Sequence, residues 1–207
     1  MAGLLSNFRN TVIVSLLLAL VMIGAFGAVF GDFGGAQFLQ ALFRWMHAFF
    51  GILWIGLLYY FNFVQIRKMP DIPAELKPAV SKYIAPEALF WFRWSALFTV
   101  LAGLGIAALR GAGYAGEVFT FGLAHGFDAA TDKPFALMGI GAYLALIMFL
   151  NVWGVIWPNQ KRALGIVEAD ADTKAKSARV AMLASRVNML LSLPMLTAMT
   201  MYQTLFG

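Results

Sequence analysis

The sequence predicts an all-α fold, a polytopic transmembrane bundle of about five helices, and three observations point to it. Of 207 residues, 61% are hydrophobic and only 12% charged, and the mean hydropathy is +0.78. That composition lies far outside the soluble range. Several apolar stretches are long enough to cross a hydrocarbon core about 30 Å thick. The third observation is placement: basic residues flank the apolar runs, as the topology of membrane helices requires, and composition does not break anywhere along residues 1–207. The reading is one membrane domain.

The first span covers about 11–30, after Arg9. Its apolar run is too long for a signal-peptide core and no A-x-A cleavage site follows, so it reads as a retained span. The second covers about 40–65, and Pro70, Pro73 and Pro78 punctuate the loop after it. The third, about 88–109, and the fourth, about 134–157, are opened by Pro86 and Pro134, as helix starts often are. Pro158 reads as closing the fourth, and Pro194 as kinking a fifth span at about 180–204. Gly27, Gly31 and Gly35, four residues apart, suggest close helix contact, with a partner subunit as one candidate.

Loop charge sets the orientation. The 66–87 loop carries Arg67, Lys68, Lys77 and Lys82, and 159–179 carries Lys161, Arg162, Lys174, Lys176 and Arg179. The 110–133 loop sets Arg110 and Lys133 against Glu117, Asp128 and Asp132. Positive-inside reasoning then puts the N-terminus inside and the C-terminus outside. The tract from Lys161 to Arg179 reads as an amphipathic surface segment drawn to anionic lipid. The net charge of +5 belongs to this pattern and does not indicate nucleic acid. With no cysteine in the chain, disulfides, iron–sulfur clusters and covalent c-type haem are excluded.

The chemistry concentrates in RWMHAFFGILWIGLLYYFNF, residues 44–63. At about 100° per residue, Arg44, His47 and Gly51 share one helical stripe. Ionisable groups inside a span are costly and point to function. The trio suits a b-type haem: imidazole on iron, a glycine leaving room for the flat ring, guanidinium pairing a propionate. The contrary reading is an interfacial pair that snorkels or bonds a carbonyl. The other histidine, His125 in GLAHGFD, falls on the same predicted membrane side as His47. A second polar layer, Asn62, Arg93, Asn151 and Asn188 with Ser185 and Ser192, falls near the opposite side. From His47 to Asn62 is about 22 Å of helix rise. Interhelical hydrogen bonding is the usual explanation of such a layer; a substrate or quinone pocket is the other.

WMHAFFGILWIGLLYYF resembles a segment of the membrane domain of bacterial urate hydroxylases, the urate oxidase N-terminal family. The resemblance continues in EALFWFRWSALFTVLAG (87–103), NVWGVIWPNQKR (151–162) and SRVNMLLSLPMLTAM (185–199), in the family's order. It implies a multi-pass protein of the bacterial inner membrane with an oxidoreductase or electron-transport role. Two departures qualify it. The family pairs this domain with a cytochrome c domain, whereas no CxxCH occurs here, so a redox role implies separate membrane or cytochrome subunits. The family's further histidine is replaced in FALMGIGAY, leaving Met138 or His125 as second ligand of a haem b, or a five-coordinate iron. The competing expectation is a non-catalytic accessory subunit of a larger membrane complex.

Overall fold

A computed structural model describes residues 2–30, 35–111, 113–126, 128 and 132–206. These residues hold helices and turns and no strand. Five helices are long and apolar enough to cross a membrane. We label them, with one short helix, in chain order. After a single turn at Ala2–Leu5, α1 is Phe8–Phe30. Helix α2 is Ala36–Tyr59, continued by a π-helical stretch, Tyr60–Gln65, and by Ile66–Lys68. Helix α3, Ala85–Leu109, follows a π stretch at Val80–Ile84. The short α4 is Tyr114–Phe119. Helix α5, Lys133–Asn151, runs through a third π stretch, Val152–Ile156, into Trp157–Ala163. Helix α6 is Ala171–Phe206.

Helices α2 and α3 form one close pair and α5 and α6 another. The core lies where the pairs meet, around the fully buried Trp54, Leu58, Met148, Val152 and Ile156. The spans also expose leucines, valines and phenylalanines such as Leu17, Ile52, Leu150 and Leu190, the surface that lipid covers in a membrane protein. Helix α1 stands apart. Of its described residues only Gly27 is buried, and it lines a shallow cleft with Phe38, Ala41 and Trp45 of α2. Gly31 lies outside the described residues.

All helices reach beyond their expected bounds, because hydropathy marks only the apolar part of a helix whose ends are polar. The basic tract 174–179 is thus the first turns of α6 and not a separate surface segment. Asp170 caps those turns, its carboxylate accepting from Thr173 N at 2.8 Å and Thr173 Oγ1 at 2.7 Å. The Thr173 amide also holds the Asp170 pKa below the ordinary carboxylate range.

Pro86 and Pro134 do open helices, but Pro158 does not close one: the chain stays helical to Ala163. The reason is the π turn ahead of it. A proline in α-helical register collides with the carbonyl four residues back. Here Trp157 N–H, just before Pro158, bonds five residues back to Val152 O, which re-aims the carbonyls. Pro86 follows the same plan, with Ala85 N–H on Val80 O. Pro194 lies within the unbroken α6.

Polar side chains tie helices together, first within the α5–α6 pair and then between the pairs. Asn188, fully buried, accepts from Asn151 Nδ2 at 2.7 Å and donates to Met148 O at 3.0 Å. Asn151 Nδ2 also donates to Ala184 O at 2.9 Å. Asn62 Nδ2 donates to Ser185 Oγ at 2.9 Å, and Tyr59 Oη meets Ser192 Oγ at 3.2 Å. Intramembrane bonds of this kind are worth about 0.6–2 kcal/mol each. In a double-mutant cycle joining Asn151→Ala and Asn188→Ala, unfolding in detergent should report a coupling of about that size; additive effects would refute a joint role.

Candidate functional site

One cavity brings together residues from α2, α3, α4, α5 and α6 at the end of the bundle away from the basic loops. Its volume is about 180 Å³ and it is open on one side. Arg44, His47 and Met138 line it, joined by Gly103, Arg110, Tyr114 and Met199.

His47 is held from α3. Its Nδ1 lies 2.8 Å from Thr99 O, and a carbonyl only accepts, so Nδ1 carries the proton. In the neutral ring Nε2 then keeps its lone pair, the state in which an imidazole ligates a metal, with the backbone carbonyl fixing tautomer and ring plane. Thr99 is fixed in turn: it is buried, and its Oγ1 donates to Ser95 O at 2.7 Å.

The ring fits because position 103 is glycine. A Cβ there would stand 3.0 Å from His47 Cε1 and 3.1 Å from Nδ1. Gly51, expected to make room for a ligand, lies instead against α3, where an added Cβ would meet the Thr99 methyl at an ordinary 3.8 Å. It is not on the cavity wall. Gly51 shares a stripe with His47, but the stripe faces α3 along its length and the cavity only at its start.

Arg110 is the second cation of the cavity. Its Nη1 donates to Tyr114 Oη at 2.9 Å and Tyr202 Oη at 3.1 Å, and its guanidinium lies 4.9 Å from the Tyr114 ring centroid. Arg44, by contrast, is exposed at the mouth. Along the chain Arg110 reads only as a loop charge that sets topology; no pattern within one helix shows that Tyr202 of α6 meets it. Helix α4 roofs the cavity with Tyr114, Val118 and Phe119. It approaches α5 where Gly139 leaves space for the Val118 carbonyl, and Tyr143 Oη donates to Phe119 O at 2.9 Å. The chain leaves this roof through Phe121 at φ 59°, a left-handed conformation that is uncommon outside glycine.

His125 ends the short turn Leu123–His125; its side chain lies outside the described residues. The second polar layer is at the other end of the bundle. There Asn62 joins Ser185, and Asn151 joins Asn188. Arg93 is not part of that network: its guanidinium stacks 3.9 Å from the Trp157 ring centroid. Among the described residues, no group of three histidines and carboxylates is placed to hold a bare metal ion.

Residues 115–206 match the family model described as urate oxidase N-terminal. The match bears out the resemblance over α4, α5 and α6, less than half of the chain; the blocks around His47 and Arg93 lie outside it. No curated protein and no solved structure matches the chain.

Two outcomes follow. Gly103→Ala should force the His47 ring off Thr99 O and cost about 1–3 kcal/mol, read as a lower unfolding midpoint and a shifted nitrogen resonance of His47. Burial, reinforced by the bond to Tyr202, pushes the Tyr114 hydroxyl up to about 12. The unfolded chain releases that proton near pH 10. The stabilisation is therefore complete below about pH 10 and is lost as pH rises through about 12. Tyr114→Phe should flatten the stability profile in that window.

Proposed function

We propose that this membrane protein binds haem b in the cavity under α4, with His47 as axial ligand, and serves electron transfer. The observation that carries the reading is the bond from His47 Nδ1 to Thr99 O at 2.8 Å, which leaves Nε2 as a ligand on the wall of an apolar cavity.

The donor set suits that group. One histidine without a carboxylate cluster is a poor cage for a bare ion, but a macrocycle brings its own equatorial donors and asks the protein for axial ones. Met138 and Met199 line the same cavity and would offer thioether sulfur to the iron of a bound haem. The cavity is open on one side, so a flat ligand larger than the enclosed space can be held by its edge. Arg44 and Arg110 offer guanidinium groups to propionates, with Arg110 kept in place by Tyr114 and Tyr202. When bound, haem b supplies one-electron redox chemistry at iron; the protein supplies ligand, tautomer and counter-charge.

The family's name carries urate oxidation, and a subunit handling electrons for such a reaction accords with the match over residues 115–206. The basic loops after α2 and around the start of α6 favour a bacterial inner-membrane orientation with the N-terminus inside. A second reading, a non-catalytic accessory subunit, is favoured by α1, which buries only Gly27 among its described residues. Stoichiometric co-purification of membrane or cytochrome subunits with a colourless protein would select it.

The decisive measurement is an absorption spectrum of protein purified from haem-replete cells, oxidised and reduced. We expect a Soret band that shifts on reduction, is lost in His47→Ala and is weakened in Arg110→Gln. A wild type that stays colourless with haem supplied, or a His47→Ala protein with an unchanged band, would overturn the reading.

A further inference from the structure

A second cavity, of about 150 Å³ and partly open, lies at the basic-loop end of the bundle. We propose that it binds the hydroxylated ring of a membrane-dissolved quinol. Three independent features lead there, and none involves the cavity at His47.

The first is size and character. An apolar protein cavity of about 150 Å³ holds one benzene ring. Phe61, Leu89, Phe92 and Ile156 wall this one, and the Phe61 and Phe92 rings meet edge-on with centroids 5.7 Å apart. The cavity is walled by helices long and apolar enough to cross a membrane, which suits a ligand dissolved in lipid.

The second is hydrogen-bonding capacity left over. Gln65 Oε1 is buried without a partner, and Gln65 lines the cavity. Asn62 Oδ1, three residues before it, is likewise buried and unpaired. The Asn62 amide is oriented by its Nδ2 bonds to Leu58 O and Ser185 Oγ, both 2.9 Å, so its oxygen is the spare end. Ser185 also lines the cavity, is 6% exposed and accepts that bond, which leaves its hydroxyl hydrogen to give. Buried acceptors without donors are expensive. A ring hydroxyl answers both needs, donating to Gln65 Oε1 while accepting from Ser185. A quinone carbonyl can only accept, so the oxidised ring leaves Gln65 unmatched.

The third is backbone geometry. The π turns at 80–84 and 152–156 each end two residues before a proline and serve it. The turn at Tyr60–Gln65 has no proline in that position, yet Ile66 N–H bonds five residues back to Phe61 O. Turns of this kind concentrate at functional sites, and this one carries Phe61, Asn62 and Gln65.

The test is calorimetric titration of the full chain in phosphatidylcholine nanodiscs. The probes are a short-chain dimethoxy-methyl benzoquinol, kept reduced under anaerobic conditions, and the matching benzoquinone. We expect saturable binding of one quinol per chain, with the quinone weaker by roughly three- to tenfold for the lost hydrogen bond. Gln65→Leu should weaken the quinol by the same factor and erase the preference. Ala181→Leu, which fills the cavity from α6, should abolish binding of both. His47→Ala should leave all of this unchanged, so failure of the haem reading and failure of this one are separable. Absence of saturable binding would overturn the proposal. So would equal affinity for the two probes, which marks a slot for any ring or lipid tail, or unaltered quinol binding in Gln65→Leu. The last result decides alone if Ala181→Leu does not fold.

Discussion

Inside hydrocarbon a polar side chain has no water to turn to, and the backbone has already used its own groups in helix formation. In this bundle the polar side chains of the spans turn instead to the spare lone pair of a carbonyl. Gln40 reaches Leu109 O, His47 reaches Thr99 O, Asn151 reaches Ala184 O and Asn188 reaches Met148 O. Each of these bonds crosses from one helix to another. Ser95 and Thr99 bond carbonyls of their own helix and pack as small apolar groups. Register between the helices is thereby set by a few fixed points, with close-packed side chains between them.

One of those fixed points bears on more than helix packing. The bond to Thr99 O engages one imidazole nitrogen, and on the haem reading proposed above the same contact would also prepare the other nitrogen as a ligand. The amide pair at Asn151 and Asn188 satisfies itself, whereas Asn62 and Gln65 keep an oxygen in reserve. The contrast separates a structural network from a site: the first closes on its own atoms and the second needs an outside donor. Both kinds occur in the same polar layer, a few residues apart, and residue type does not distinguish them.

Much of the architecture was legible from the chain alone. Five spans, the prolines that begin α3 and α5 and the polar stripe of α6 follow from hydropathy, from the missing N–H of proline and from the period of the helix. What lay beyond reach was pairing between helices. Arg44, His47 and Gly51 share a stripe, yet only the facing helix shows that Gly103 clears space for the imidazole while Gly51 packs on Thr99. The small residues of LAGLG in α3 were the available signal for that. Arg110 and Tyr202 stand 92 positions apart, and no local pattern links them. Pro158 misleads because proline ends an α-helix but not one already widened to π register.

The roof over the His47 cavity bears on how a bulky ligand could be installed. Helix α4 crosses the mouth, is fastened to α5 by Tyr143 and to α6 through Arg110 and Tyr202, and leaves through a left-handed Phe121. Helix α4 thus covers the cavity from its side of the bundle. On the haem reading proposed above, loading would have to precede the docking of α4 or use the open side of the cavity, which would tie maturation to the order in which the helices meet.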